Sequence, residues 1–257
     1  MRLSPFGLFD RWLAPAPPAS KVSWMAGYDY AHRGLHGAGV PENAPSGFAL
    51  AIERGMGIEC DVQRSSDGQA MVFHDFELDR LTGETGLVSA RSADQLSRVV
   101  LSGSQDTIPS LRQLLDQIAG RVPLLIEIKS NNSRRYAALC LAVRRVLEGY
   151  QGPHAVMSFD PRMVRWFAVH APLTTRGLIV TEENARALAG QLRRQFSLWH
   201  SKPHFLAYDI RDLPSHFAAA QRGRGLPLLT WTVRSAELRE RADAYADAPI
   251  AEGAGIA

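Results

Sequence analysis

From Tyr28 to the end of the chain, short apolar and β-branched stretches alternate with segments whose apolar residues recur at helical spacing. The predicted strands cover residues 28–32, 57–63, 123–129, 154–159, 174–180, 204–210, 227–233 and 245–251. The predicted helices cover residues 46–55, 110–120, 134–150, 161–170, 183–196, 214–223 and 235–242. This single α/β series of about eight strands predicts a parallel (β/α)8 TIM barrel. An open doubly wound sheet is the alternative.

The first residues stand apart from this series. They contain several aromatic side chains and a Pro/Ala-rich stretch, so we expect an N-terminal arm over 1–27 and one barrel domain over 28–257. Pro5, Asp10 and Arg11 interrupt what would be the apolar core of a signal peptide. No run approaches the roughly 20 apolar residues that span a bilayer. The arm either packs on its own domain or makes a peripheral contact with a membrane surface or a partner.

Composition narrows the class of protein. The chain has 257 residues, of which 46% are hydrophobic and 21% are charged, as is typical of a well-packed soluble protein. Its net charge of +3 and pI of about 9.1 favour an anionic ligand, but the scattered arginines argue against a nucleic-acid partner. Cys60 and Cys140 are the two cysteines, so we expect no disulfide framework and a reducing, cytoplasmic location.

Charged side chains occur where the predicted strands end, which is where the active sites of parallel barrels lie. Residues two apart in a strand point to the same side, and charges in apolar strands are costly to bury without compensation. Three inward carboxylates with one lysine therefore predict a bound cation. The side chains concerned are His32 and Arg33 after the first strand, Glu59 and Asp61 in the second, Glu127 and Lys129 in the third, and Trp231 near the end of the seventh.

The chemistry of these residues favours a hard divalent ion, either Mg²⁺ or Ca²⁺, since all three acidic side chains offer oxygen ligands. No spacing of Cys or His predicts a zinc site. His200 and His204 are four apart, but Pro203 between them disfavours a shared helical face, and we interpret both as surface or packing residues.

The stretch after Asp61 adds a second histidine. The "SDG" turn followed by the apolar "AMVFH" predicts a hairpin-like extension that returns His74 and Asp75 toward the barrel mouth. Two histidines near a metal, an arginine and a lysine are suited to phosphoryl transfer, with one imidazole removing a proton and the other donating one.

The motifs "HRG", "PEN", "ECDVQRSSDG", "VFHD", "LDRLTGETG", "IPSL", "EIK" and "WTV", in this order and spacing, resemble the glycerophosphodiester phosphodiesterase family. The resemblance implies a (β/α)8 barrel that uses one divalent cation to hydrolyse glycerophosphodiesters to glycerol 3-phosphate and an alcohol. It implies His32 and His74 as the acid–base pair and Glu59, Asp61 and Glu127 as the metal ligands. It further implies that Arg33 and Lys129 contact the phosphate, that Glu42 and Asn43 complete the first-loop network, and that Trp231 walls the glycerol pocket.

The last strand departs from the family pattern, because the chain reads "YADAPIAEGAGIA" where the family commonly has acidic residues and threonine. This leaves the closure of the barrel and any contribution of Glu252 open. Two other functions remain as alternatives. One is a related lipid-cleaving phosphodiesterase of the phospholipase C or sphingomyelinase D type acting at a membrane surface. The other is a non-catalytic binding protein on the same barrel.

Overall fold

The computed structural model of the chain describes residues 6–130, 136–183 and 185–256, and within them strands and helices alternate as the sequence predicts. The strands are β1 (Tyr30–Ala31), β2 (Gly57–Arg64), β3 (Ala70–Val72), β4 (Leu124–Ile128), β5 (His154–Ser158), β6 (Thr175–Val180), β7 (Phe205–Asp209), β8 (Leu228–Val233) and β9 (Ala248–Ala251). The α-helices are α1 (Gly7–Leu13), α2 (Ala19–Val22), α3 (Pro45–Glu53), α4 (Ala93–Leu96), α5 (Leu111–Ile118), α6 (Tyr136–Leu147), α7 (Pro161–His170), α8 (Leu188–Ser201), α9 (His216–Gly223) and α10 (Ala236–Tyr245).

The chain forms two compact units, one of Tyr30–His154 and one that combines Met1–Asp29 with Ala155–Ala257. The predicted division into an arm over 1–27 and a barrel over 28–257 stays a prediction. Residues 1–5 of that arm and residues 134 and 135 of the predicted 134–150 helix lie outside the described residues.

In the Tyr30–His154 unit, β2 is the central strand and is buried along almost its whole length. It pairs in parallel with β1 and with β4. The register with β4 runs from Ile58 beside Leu124 to Val62 beside Ile128, which sets Asp61 directly beside Glu127. Because side chains alternate along a strand, Glu59 points to the same side as Asp61, while buried Cys60 points to the other.

The predicted hairpin is confirmed. The last three residues of β2 pair with β3 in antiparallel register, from Val62 beside Val72 to Arg64 beside Ala70. In the turn, Gly68 takes the left-handed φ of 89° that a residue other than glycine adopts at a cost. The amide of Phe73 then donates to the carbonyl of Asp61 at 3.0 Å, so the hairpin returns the chain to the carboxylates of β2.

In the other unit, β5 to β9 pair in parallel in the order of the sequence. Their helix-facing side chains, among them Leu178, Leu206 and Leu228, form one apolar core with Leu198 of α8 and Ala242 of α10. The last strand forms despite its unusual sequence, since β9 pairs with β8 through Leu229 beside Ala248 and Thr230 beside Pro249.

The N-terminal helices belong to this second unit, and α1 is held there by a buried carboxylate. The side chain of Asp10 is fully buried. It accepts hydrogen bonds from Gln195 Nε2 at 2.5 Å, Trp199 Nε1 at 2.7 Å and Gln221 Nε2 at 2.9 Å. The guanidinium of Arg224 also donates to the carbonyl of Ala14 at 2.6 Å. These bonds join α1 to α8 and α9.

The predicted bounds of α8 are wrong by five residues at each end. The sequence predicts a helix over 183–196, whereas α8 runs from Leu188 to Ser201. Before it, Glu182 is bonded to the side chains of Tyr208 and Ser215, and Ala187 is extended. After it, Lys202 takes a left-handed φ of 50° and Pro203 follows, which ends the helix.

Neither Cys60 nor Cys140 forms a disulfide bond, and both are buried. Among the residues that the structure describes, no helix combines the length and the apolar character needed to cross a bilayer. The cytoplasmic location stays a prediction.

Asp10→Ala is expected to lower the free energy of unfolding by roughly 2–4 kcal/mol, because it leaves the buried amides of Gln195 and Gln221 and the partly buried indole of Trp199 without an acceptor. Urea denaturation followed by circular dichroism measures this loss. Asp94→Ala is the control, since Asp94 is exposed and pairs with exposed Arg98, and such pairs contribute about 0–1 kcal/mol. Equal losses in the two variants would contradict the anchoring role of Asp10.

Candidate active site

Three carboxylates converge on one side of β2 and β4. An oxygen from each of Glu59, Asp61 and Glu127 lies within 4.8 Å of an oxygen of the others. Glu59 and Asp61 are almost completely buried. The β2–β4 register produces this arrangement because it sets Asp61 beside Glu127, and Glu59 is two residues away on the same strand.

Two cations lie against these carboxylates. Lys129, which follows β4, has its Nζ 2.9 Å from Glu127 Oε1 and 3.3 Å from Asp61 Oδ1. Arg33, which follows β1, has its Nε 3.4 Å from Asp61 Oδ2, and its backbone amide donates to Glu59 Oε2 at 3.0 Å. The sequence-predicted charges are therefore in contact with one another.

The loop between β1 and α3 depends on left-handed backbone at Arg33 (φ 56°), Gly34 (φ 78°) and Asn43 (φ 57°). A side chain at Gly34 would place a Cβ 2.9 Å from the ring of Phe48, so glycine is required there. The amide of Asn43 donates to the carbonyl of Arg33 at 2.8 Å, which closes the loop. The Asn43 side chain then donates from Nδ2 to Asp61 Oδ2 at 3.0 Å and accepts from the Asp61 amide at 3.3 Å. Asn43 therefore fixes the orientation of the Asp61 carboxylate.

The three carboxylates differ in pKa because they share two cations unequally. Burial and the charges of Asp61 and Glu127 raise the pKa of Glu59 well above its ordinary value. Burial and the charge of Asp61 raise the pKa of Glu127 to about 6. Burial also acts to raise the pKa of Asp61, but Lys129, His74, Arg33 and the Asn43 hydrogen bond together hold it below its ordinary value. Asp61 is thus the carboxylate that keeps its negative charge most firmly.

His74 is oriented by a chain of charged side chains. Its Nδ1 is 2.6 Å from Asp75 Oδ1. Arg80 binds Asp75 through Nε at 2.6 Å and binds Glu42 through Nη2 at 2.7 Å and Nη1 at 3.1 Å. Glu42 in turn accepts from Arg33 Nη1 at 2.8 Å. Arg80 therefore connects the histidine loop to the loop that carries Arg33.

The pKa values of the side chains in this hydrogen-bonded series are shifted by their contacts with one another. Hydrogen bonding to Arg80 and His74 lowers the pKa of Asp75 to about 2. Burial opposes ionisation of Glu42, but Arg80 and Arg33 lower its pKa all the same. Burial lowers the pKa of His74, with help from Lys129 and Arg33, against the opposing charge of Asp61 and the bond to Asp75. The neutral form of His74 is therefore favoured near neutral pH.

Two residues of the site were missed by the sequence interpretation. Arg80 stands inside the quoted "LDRLTGETG" but received no role, and Gln63 received none either. Gln63 Nε2 donates to the carbonyl of His74 at 3.0 Å and to that of Asp75, which holds the loop in place. The excess of predicted carboxylates over predicted cations could have indicated that a third cation such as Arg80 was needed.

The remaining predicted residues lie as follows. His32 is buried and directly precedes Arg33 in the first loop. Trp231 lies in β8 of the other unit, where its Nε1 donates to the carbonyl of Ala207 at 3.0 Å and its ring meets Phe159 edge-on at 5.3 Å. Its predicted role in a glycerol pocket stays a prediction.

His200 is exposed and His204 is buried, in accordance with the interpretation of the two as surface or packing residues.

The charge balance of the Tyr30–His154 site fits a divalent cation. Five carboxylates (Glu42, Glu59, Asp61, Asp75, Glu127) face three permanent cations (Arg33, Arg80, Lys129) through the contacts described. One divalent cation would offset the two remaining negative charges. The three clustered carboxylates supply the oxygen ligands that Mg²⁺ and Ca²⁺ prefer. These residues can therefore hold a hard metal ion.

Comparison with known proteins gives a consistent result. The model of the glycerophosphoryl diester phosphodiesterase family matches residues 32–251 of this chain. A glycerophosphodiester phosphodiesterase of Caldanaerobacter subterraneus subsp. tengcongensis is 36% identical over 82% of this chain and 87% of the relative. A glycerophosphodiester phosphodiesterase of Bacillus altitudinis is also 36% identical, but the match spans 48% of this chain and only 53% of that relative.

Among solved structures, an Oleispira antarctica phosphodiesterase in complex with the product sn-glycerol-3-phosphate is similar to this chain with a TM-score of 0.78. The match has 24% sequence identity and covers 90% of this chain and 94% of the other. This similarity shows the fold, which is the predicted (β/α)8 barrel and not an open doubly wound sheet.

In EDTA, the Glu127→Gln variant is expected to gain stability relative to the wild type as pH rises from about 4.5 to above 6. The folded protein binds the Glu127 proton more tightly than the unfolded chain does, so ionisation of Glu127 opposes folding in this window. The difference in unfolding free energy should change by on the order of 1–2 kcal/mol. Urea denaturation of the wild type and the variant, at about pH 4.5 and again above about pH 6, measures this difference in unfolding free energy.

Glu84→Gln is the control for this measurement, because Glu84 is an exposed carboxylate that pairs with Arg91. A difference between wild type and Glu127→Gln that stays constant with pH would show that burial does not raise the pKa of Glu127.

Proposed function

The chain belongs to the glycerophosphoryl diester phosphodiesterase family, which makes it a phosphoric diester hydrolase, and from this premise we propose that it hydrolyses glycerophosphodiesters to glycerol 3-phosphate and an alcohol. The observation that carries this proposal is the cluster of Glu59, Asp61 and Glu127 in contact with Arg33 and Lys129. The complex of the Oleispira antarctica phosphodiesterase with sn-glycerol-3-phosphate supports the proposed product.

One divalent cation, Mg²⁺ or Ca²⁺, is the proposed cofactor, with Glu59, Asp61 and Glu127 as its ligands. When bound, such an ion draws charge from the phosphate oxygens and so stabilises the transition state. The raised pKa values of Glu59 and Glu127 support this assignment, because they show carboxylates whose charge the protein's own cations do not fully compensate.

Arg33 and Lys129 are the proposed phosphate-binding residues. They are half-buried cations next to the acidic cluster, where their attraction for the two non-bridging phosphate oxygens is only partly screened by water. Glu42 holds one end of the Arg33 guanidinium at 2.8 Å and so aims the other end. Asn43 keeps Asp61 from rotating. In this proposal the loop between β1 and α3 fixes the phosphate in one orientation. Such positioning supplies a large part of the reduction in activation free energy in phosphoryl transfer.

His32 and His74 are the proposed acid–base pair, and the structure supports a specific assignment. The bond from His74 Nδ1 to Asp75 leaves Nε2 as the nitrogen that can exchange a proton with the substrate. The lowered pKa of His74 favours a neutral imidazole, which is the form that accepts a proton. We therefore assign the base to His74 and the acid, which protonates the departing alcohol, to His32.

Asp61→Asn is expected to weaken binding of Mg²⁺ or Ca²⁺ by at least about tenfold, since it replaces a charged ligand by a neutral one. Release of glycerol 3-phosphate from glycerophosphocholine should fall by at least about 100-fold, and EDTA should abolish it in the wild type. Titration calorimetry and an enzymatic assay for glycerol 3-phosphate measure the two effects. Glu84→Gln is the matched control. Full turnover by rigorously metal-free protein would disprove the role of the cation.

Replacing either histidine by Ala is expected to lower kcat by about 10²- to 10⁴-fold, the usual contribution of a general acid or base. Cation binding should persist, because neither imidazole is a proposed ligand. The wild type should show a bell-shaped dependence on pH, since one imidazole must start neutral and the other protonated. His200→Ala, which removes an exposed imidazole, should leave the rate unchanged.

A nitrophenyl ester of glycerol phosphate distinguishes the two roles, because its leaving group needs little help from an acid. It should restore most of the rate of His32→Ala and leave His74→Ala slow. The reverse pattern would exchange the assignments, and near-normal rates of both variants on glycerophosphocholine would refute the acid–base pair.

A further inference from the structure

In the short helix α1 the acidic residue is buried and the apolar residues are exposed, which is the reverse of an ordinary surface helix. Its single acidic residue, Asp10, is fully buried, whereas Leu8, Phe9 and Trp12 are 86%, 58% and 79% exposed. Leu8 and Trp12 are four residues apart and so lie on one face, with Phe9 beside them. The hydrogen bonds of Asp10 hold this apolar face outward.

Helix α8 extends the same apolar surface. Leu192 and Phe196 are exposed and four residues apart. The rings of Phe9 and Phe196 both contact the ring of Trp199, with centroid distances of 6.3 Å and 5.5 Å. Trp199 thus links the exposed apolar residues of the two helices, and we name the exposed side chains Leu8, Phe9, Trp12, Leu192 and Phe196 the α1–α8 face.

The exposed charged side chains that α1 and α8 themselves contribute beside the α1–α8 face are positive. Arg11 on α1 and Arg193 on α8 are exposed, and neither forms an ion pair with a carboxylate among the described residues. Residues 185–208 of the sequence contain no Asp or Glu, and Asp10 is the single acidic residue of residues 1–28. Since Asp10 is buried, neither helix presents a negative charge beside the exposed apolar side chains.

We propose that the α1–α8 face binds the surface of a bilayer that contains anionic phospholipid. Trp, Phe and Leu side chains are favoured at the boundary of headgroups and acyl chains, and flanking arginines pair with lipid phosphates. A second copy of the chain fits this face less well, because a symmetric contact would bring the arginines of both copies together without carboxylates to pair with them. This binding does not depend on the proposed hydrolysis of glycerophosphodiesters.

Sedimentation of the full chain with vesicles tests the proposal. Vesicles of phosphatidylcholine mixed with phosphatidylglycerol should carry the wild type into the pellet, and vesicles of phosphatidylcholine alone should carry much less. The Leu8→Ser/Trp12→Ser variant should bind the mixed vesicles at least about tenfold more weakly. The Arg11→Glu/Arg193→Glu variant should lose the preference for the anionic lipid.

Two matched controls come from elsewhere in the chain. Leu173→Ser removes an apolar side chain that is 91% exposed, and Arg144→Glu reverses an exposed arginine on α6. Both should bind vesicles as the wild type does. All variants should keep the wild-type melting temperature and turnover of glycerophosphocholine, because the altered side chains are exposed.

Three results would overturn the proposal. The first is a wild type that stays in the supernatant with both kinds of vesicle. The second is equal binding by the wild type and the Leu8→Ser/Trp12→Ser variant. The third is a wild-type dimer in sedimentation equilibrium that this variant dissociates, which would identify a second copy as the occupant of the face.

Discussion

The buried surplus of negative charge on β2 and β4 is the constraint around which the Tyr30–His154 unit is arranged. Glu59, Asp61 and Glu127 are too close and too buried to be stable as three uncompensated anions. Lys129 and Arg33 offset part of this charge. The loop between β1 and α3, with its left-handed residues, positions Arg33 beside Asp61. The remaining charge fits a divalent cation, and in the proposed function the same two cations bind the phosphate of the substrate.

Much of the fold and of the site follows from local sequence rules. Period-two spacing places Glu59 and Asp61 on one side of a strand, and the same rule applies to Glu127 and Lys129. The "SDG" turn correctly predicts the hairpin that returns His74 to Asp61. The alternation of strands and helices predicts the barrel, which the structural comparison confirms. These features are predictable because each depends on residues that are close in the sequence.

The features that could not be predicted depend on contacts between distant residues. Arg80 bonds to Glu42, which is 38 positions earlier, and no local pattern indicates this pair. The β2–β4 register that sets Asp61 beside Glu127 arises from packing of whole strands. Burial of Asp10 requires Gln195 and Gln221, which lie far along the chain. In isolation the sequence of α1 indicates only that an acidic residue stands among apolar ones, without showing which side faces solvent.

In the proposed function, the carboxylate cluster and its two cations act on the phosphate of a glycerophosphodiester. Incubation of glycerophosphocholine, -ethanolamine, -glycerol and -inositol with Mg²⁺ or Ca²⁺, followed by ³¹P NMR of the products, identifies which bond to phosphorus is cleaved. Glycerol 3-phosphate is expected from every substrate, with the free alcohol as the second product and no reaction in EDTA. Phosphocholine and glycerol as the products from glycerophosphocholine, or no hydrolysis of any of these substrates with either ion, would disprove the proposed function.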